Sequence, residues 1–193
     1  DRLAGLPAEV AEALGPVEIL VTNTGGPPLG RALEHPADEW AAAYRTLVLA
    51  PRTLVDEVLP GMRERRWGRI ANGASSSVRE PIPGLALSNA NRMAAVGLFK
   101  TLAAEVAADG ITVNTVATGR FATQRAADNA GSLEAAEERA RKDVPAGRLG
   151  RPEEHGDLVP ESRVFEPAAQ ARTLLGCCDE VPKPMKWKLR SKV

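Results

Sequence analysis

The chain has 193 residues, 44% of them hydrophobic and 26% charged, enough for one globular domain with a sizeable core. Its 25 basic residues balance 25 acidic ones, which excludes a generic nucleic-acid binder. No run approaches the roughly 18 apolar residues of a membrane span, and Asp1-Arg2-Leu3-Ala4 matches neither a signal nor a transit peptide, so a cytoplasmic chain without a membrane partner is expected.

A first short helix is predicted over 7–14, with Val10 and Leu14 one turn apart, Pro7 suited to a first turn and Gly15-Pro16 as the stop. The mostly β-branched run Val17-Glu18-Ile19-Leu20-Val21 predicts a buried strand, and residues 22–30 are the turn formers that follow it. From 36 to about 66, Trp40, Tyr44, Leu47, Leu54, Val55, Val58, Leu59 and Met62 recur at helical spacing. Asp38 and Glu39 suit the positive end of that helix. Pro51 predicts a kink and Pro60 an early end.

A second strand is predicted at 68–72, followed by a polar loop, 73–83, that carries Ser75, Ser76 and Ser77. Residues 87–108 form the clearest amphipathic helix, with Val96, Phe99, Ala103 and Val106 on one stripe and Asp109-Gly110 as the stop. A third strand, 111–116, runs into Ala117-Thr118-Gly119, and a charged helix follows at 132–142. This alternation predicts an α/β fold, a doubly wound parallel sheet covered by helices on both faces. Ligands in such sheets bind at the carboxyl ends of the strands, so the loops at 22–30, 73–84 and 117–126 should meet at one rim.

Metal and thiol chemistry find little support. Cys177 and Cys178 are adjacent, without a CxxC spacing, and His35 and His155 each lack a partner at a ligand spacing. Both histidines read as ordinary surface or helix-start residues.

The three loops carry a family resemblance. Ile19-Leu20-Val21-Thr22-Asn23-Thr24-Gly25 resembles the strand-end NNAG motif of the short-chain dehydrogenase/reductase family. Arg69-Ile70-Ala71-Asn72-Gly73-Ala74-Ser75-Ser76 is similar to the strand that delivers that family's catalytic serine. Gly110 to Gly119 is similar to the strand that normally ends in Pro-Gly, with Thr123 at the spacing of a nicotinamide-contacting threonine. The match runs from about Val17 to Glu154. It implies a Rossmann-like fold and an oxidoreductase, 3-oxoacyl reductase-like, moving a hydride between NAD or NADP and a small-molecule carbonyl or alcohol. It further implies Ser75 as a carbonyl-polarising group, Asn23 and Gly25 on the cofactor rim, and Thr118, Gly119 and Thr123 near the nicotinamide. Pairing through the long helices, about 37–59 and 87–108, into a homo-oligomer, a dimer or tetramer, is implied in the same way.

The pattern breaks at the acid/base pair. The family's Tyr-x-x-x-Lys should begin thirteen residues after Ser75, where this chain has Ser88-Asn89-Ala90-Asn91-Arg92. A fourth family residue, an Asn, corresponds to Leu47. A tyrosine can be tuned by a neighbouring cation to pass a proton near neutral pH, whereas a serine hydroxyl lies too high. Arg92 keeps the charge, cannot deprotonate, and has a planar fork suited to anions. Three readings of Ser75, Ser88 and Arg92 stay open: hydride transfer with water or Tyr44 as proton source, ligand binding without turnover in a catalytically inactive protein, or simple loop and cap roles, Ser88 being a good N-cap.

Both ends depart from the family. No GxGxxG occurs, so the first βα units, on the order of 60 to 90 residues at roughly 30 per unit, are expected to be missing, and the strand at 17–21 should have an unpaired side. Residues 1–154 are read as a partial domain and 155–193 as a divergent, irregular tail, its last eleven residues holding five basic and no acidic side chains.

Overall fold

Three parallel strands lie side by side: β1 (Ile19–Thr22), β2 (Gly68–Gly73) and β3 (Ile111–Thr118). The computed structural model describes residues 2–155 and 173–176. Within them a fourth strand, β4 (Thr173–Gly176), pairs in parallel with β3, giving the sheet order β1-β2-β3-β4. β4 falls in the stretch expected to be irregular, and corrects that expectation for these four residues. The basic tail and both cysteines lie outside the described residues.

Register sets the layers. Leu20, Ile70 and Val113 pair across the sheet and point, by the period of two, to the face that holds Val55, Val58, Met62, Phe99, Ala103 and Val106. Two positions nearer the carboxyl end, Thr22, Asn72 and Thr115 form the next row, all buried. Apolar packing thus gives way to polar side chains one step before the strands open. β1 is an edge of the described sheet, as expected, with Ile19 and Val21 half-exposed.

Helices α1 (Arg2–Leu14), α2 (Ala37–Tyr44), α3 (Ala50–Glu64) and α4 (Ala86–Val106) lie where periodicity predicts them, though α1 starts earlier. The expected kink at Pro51 takes the form of a π-helical turn, Arg45–Leu49, between α2 and α3. Pro51 has no N–H for the Leu47 carbonyl, and the wider turn takes up the ring. Pro60 does not end α3, which runs on to Glu64. The orphaned carbonyl there belongs to Asp56, which is exposed to water, while Val55, Val58 and Met62 keep the buried stripe continuous across the proline. α4 stops as predicted, at Gly110 in the left-handed conformation.

Residues 120–151 form a separate compact unit. Helices α5 (Gln124–Ala130) and α6 (Leu133–Asp143) begin on side-chain caps, Thr123 Oγ1 accepting from Ala126 N–H and Ser132 Oγ from Ala135 N–H. Ala136, Ala140 and Leu149 make its small core, and Arg120 pairs with Asp143 at 2.8 Å.

Candidate active site

The carboxyl ends of β1, β2 and β3 bring Asn23, Gly73 to Ser75 and Thr118 to one edge of the sheet. The strands close tightly there. A Cβ on Gly73 would lie 3.1 Å from the Thr22 carbonyl and 3.4 Å from Asn23 Oδ1, so glycine lets β1 and the end of β2 approach. Beneath the edge, Thr22 Oγ1 donates to Asn72 Oδ1 at 3.1 Å, both residues 3% exposed. Asn72 Nδ2 is buried with no hydrogen-bond partner, an unusual state for an amide.

Ser75 is half-buried and opens a short 3₁₀ turn, Ser76–Val78, its Oγ accepting from the Ser77 N–H at 3.1 Å. That turn packs against β3 and α4, and Ser77 is wholly buried with an unpartnered hydroxyl. α4 brings in Ser88 and Arg92. Ser88 is not the N-cap expected of it. The helix starts at Ala86, with Leu85 in the cap position and no side-chain cap, so Ser88 sits inside the first turn and is 8% exposed.

Arg92 joins the helix to the strand. Its Nε donates to Ser88 Oγ at 3.3 Å and its Nη1 to the Gly73 carbonyl at 3.0 Å. Both serines therefore use an acceptor lone pair on an N–H, and each keeps its O–H as a donor. Two hydroxyl donors and a guanidinium at a strand-end rim can stabilise negative charge developing on a carbonyl oxygen. Nothing in the set titrates as the family's tyrosine does.

Of the remaining predicted residues, Gly25 has nothing within 4 Å of where a Cβ would stand, leaving its backbone open to a ligand. Asn23 is exposed at the end of β1. Gly119, half-buried, follows Thr118 at the end of β3. Thr123 belongs to the second unit, where its hydroxyl caps α5. Tyr44 is 44% exposed whereas Leu47 is 3% exposed, so the two do not share a buried face across the π turn.

Both histidines lie at helix starts, one of the two readings expected for them, yet each makes a side-chain contact that a plain surface residue would not. His155 Nε2 lies 3.0 Å from Thr118 Oγ1 at the end of β3. The His35 side chain is 5% exposed and paired with Glu39. His35–Glu39 is an i, i+4 pair visible in the sequence, while the His155 contact joins residues 37 apart and had no local signal. No group of three or more His, Cys, Asp or Glu among the described residues could hold a metal, and no described helix is long and apolar enough to cross a membrane.

A parallel sheet flanked by helices, with its strand ends meeting at one rim, defines a Rossmann-like fold, and comparison with known proteins agrees. The family described as Enoyl-(Acyl carrier protein) reductase matches residues 1–160. The chain belongs to the short-chain dehydrogenase/reductase family. It is 34% identical over 152 residues to an acetoacetyl-CoA reductase of Shinella zoogloeoides, covering 79% of this chain and 62% of that one. It is 34% identical over 182 residues to a putative ketoacyl reductase of Streptomyces coelicolor, covering 89% and 69%. A crystallised actinorhodin polyketide ketoreductase variant with NADPH superposes with a TM-score of 0.83 at 32% identity, over 91% of this chain and 71% of that one. The chain thus spans under two thirds of the length of the Shinella reductase.

Proposed function

We propose that this chain carries the substrate-side half of an oxidoreductase that interconverts a 3-oxoacyl-type carbonyl and its alcohol with NAD or NADP. The reading is supported by the placement of Ser75, Ser88 and Arg92 at one strand-end edge, and by relatives named as acetoacetyl-CoA and ketoacyl reductases. Ser75 and Ser88 donate to the substrate oxygen, and Arg92 holds Ser88 against the end of β2 while supplying positive charge. Asn23, Gly25, Thr118 and Gly119 would border the nicotinamide, and the open space at Gly25 fits a ligand there. Bound at that rim, the dinucleotide supplies or accepts the hydride. Since residue 88 cannot release a proton near neutral pH, the proton that completes the alcohol comes from water.

Binding without turnover is the second reading, favoured by the same pair: an arginine that keeps its proton supports a serine that keeps its own. Tyr44, Leu49 and Met93 leave apolar surface on the long helices, which supports association of the chain into a dimer or tetramer. The cytoplasm is the compartment that fits such a reductase.

Nicotinamide fluorescence during titration with NADH and NADPH, followed by dinucleotide oxidation in the presence of acetoacetyl-CoA, tests both readings. Binding with turnover supports reduction, and binding without turnover supports the second reading. Absence of binding at millimolar dinucleotide overturns both.

A further inference from the structure

The His35 side chain, between β1 and α2, is almost fully buried yet makes only one hydrogen bond, from Nδ1 to Glu39 Oε2 at 2.6 Å. A carboxylate only accepts, so Nδ1 carries the proton. Trp40 meets the ring edge-on, at 6.5 Å between centroids and 89° between planes. Glu39 and Trp40, both on α2, thereby aim the opposite edge of the imidazole into the loop that follows β1. Nε2 on that edge is buried and has no hydrogen-bond partner.

What the edge meets is Gly30. A Cβ there would lie 2.6 Å from both Cε1 and Nε2, so only glycine can stand beside this ring as it is placed. The peptide groups of Gly30 do the next step. Its N–H donates to the Gly84 carbonyl at 2.9 Å, and its carbonyl accepts from the Ala86 N–H at 3.4 Å. Ala86 is the first residue of α4, whose cap position, Leu85, offers no side-chain acceptor. An open donor at the start of the helix is thus met by a loop 56 residues away in sequence. From the other side, Asn89 holds Ile82 by two bonds, Nδ2 to the carbonyl at 2.9 Å and the Ile82 N–H to Oδ1 at 3.3 Å. Ser88 lies between these two clamps, and Arg92 follows one turn later.

We propose that His35 is a positioning residue that acts through Gly30 to fix the first turn of α4, and with it Ser88 and Arg92. Its importance for turnover rests on the reductase reading; its action on α4 does not. Removing the ring frees Gly30 to move away from Ala86, and adding a methyl group at Gly30 pushes against the ring and does the same.

The test compares the full chain with His35→Ala, Gly30→Ala and the double variant, by amide hydrogen exchange and by the NMR signal of the Arg92 Nε–H, which reports its bond to Ser88. Each single change should speed exchange at Gly30 and Ala86 about 10-fold or more and shift the Arg92 signal, while β2 and β3 amides keep their protection. In the double variant the added methyl meets no ring, so only the strain of an alanine at the positive φ of Gly30 remains, and Gly30→Ala should add less to the effect of His35→Ala than it causes alone. Unchanged exchange and an unshifted Arg92 signal in His35→Ala overturn the proposal, as does full additivity in the double variant. General loss of protection through β2 and β3 also overturns it, since His35 would then be supporting the core at large. These signals are read without substrate, so they decide the proposal even if the wild-type chain turns nothing over. Where it does, His35→Ala should lower kcat with little change in KM.

Discussion

Arg92 Nε lies 3.3 Å from Ser88 Oγ, one turn away on α4, and the same guanidinium reaches the Gly73 carbonyl at 3.0 Å. A lysine in this place would offer a compact point charge, whereas the planar fork bonds in two directions at once. The arginine therefore ties α4 to the end of β2 and leaves the Ser88 hydroxyl its proton. It cannot lower the serine far enough for proton transfer. The Ser88→Tyr/Arg92→Lys double variant should raise dinucleotide-dependent reduction of acetoacetyl-CoA by about 100-fold, the usual order for a positioned general acid. Steady-state kinetics in the two single variants and the double check this, and no gain in the double would mean that proton delivery is not the limiting deficit.

Ser75 holds two roles that one substitution can separate. Its Oγ caps the 3₁₀ turn through the Ser77 N–H, a contribution of about 1 kcal/mol, and its O–H is the donor proposed for the substrate oxygen. Ser75→Ala should lower kcat about 100-fold, as loss of one oxyanion donor does, with only a small drop in Tm. Equal losses of activity and stability would instead mark a purely structural serine.

Tyr44 is the chain's only tyrosine and the one side chain with a tyrosine-like proton to offer. Its 44% exposure, at the start of a π turn within which Leu47 is buried, argues against that role. Tyr44→Phe should leave kcat and its pH profile unchanged. Loss of activity with the fold intact, judged by circular dichroism, would reinstate the tyrosine as proton donor.

The difference between Ser88 and His35 explains what was legible in the sequence. Strand and helix spans follow from local periodicity, because each depends on residues within a few turns of one another, while Ser75, Ser88 and Arg92 were singled out by motif spacing in the family resemblance. The cap of α4 did not follow. Ser88 has the right chemistry for an N-cap, but the helix begins two residues earlier on an acceptor supplied by Gly30. His35 and His155 do lie at helix starts, as read, but neither is a plain surface residue, since burial depends on what the fold places over a residue. Pro60 misled for a related reason, as apolar packing of Val58 and Met62 outweighs one lost helical bond on an exposed face. β4 lies beyond the resemblance, where no family motif marked a strand.

At the start of α6, Glu134 is held below its ordinary carboxylate pKa by its own backbone N–H and then by the Ser132 side chain. A depressed pKa means that the folded chain holds this proton more weakly than the unfolded one. The contribution to stability is complete above the ordinary carboxylate range and disappears as pH falls through Glu134's lower value. Glu134 is fully exposed, so the effect stays local. An NMR titration should find its midpoint below that of a free glutamate, and Ser132→Ala should move it upward. A midpoint unmoved by that change would leave the Ser132 hydrogen bond without influence.

Gly110 and Gly84 make a matched pair for separating strain from collision. Both have left-handed backbones, with φ of 76° and 74°. A Cβ at Gly84 meets nothing within 4 Å, whereas at Gly110 it would stand 2.3 Å from the Arg66 carbonyl oxygen, a backbone atom in the turn between α3 and β2. That turn is tied down from both sides, Arg66 Nη2 donating to the Ala108 carbonyl at 2.9 Å and Arg63 pairing with Asp109 at 2.9 Å. The carbonyl therefore cannot retreat without breaking bonds that close α3 and α4 over the ends of β2 and β3. Gly84→Ala should cost about 1 kcal/mol, the left-handed penalty alone. Gly110→Ala should cost about 3 kcal/mol, because overpacking against a fixed backbone is added to the same penalty. Urea unfolding of the two variants measures the difference directly, and equal losses would show that the turn around Arg66 yields to the added methyl group.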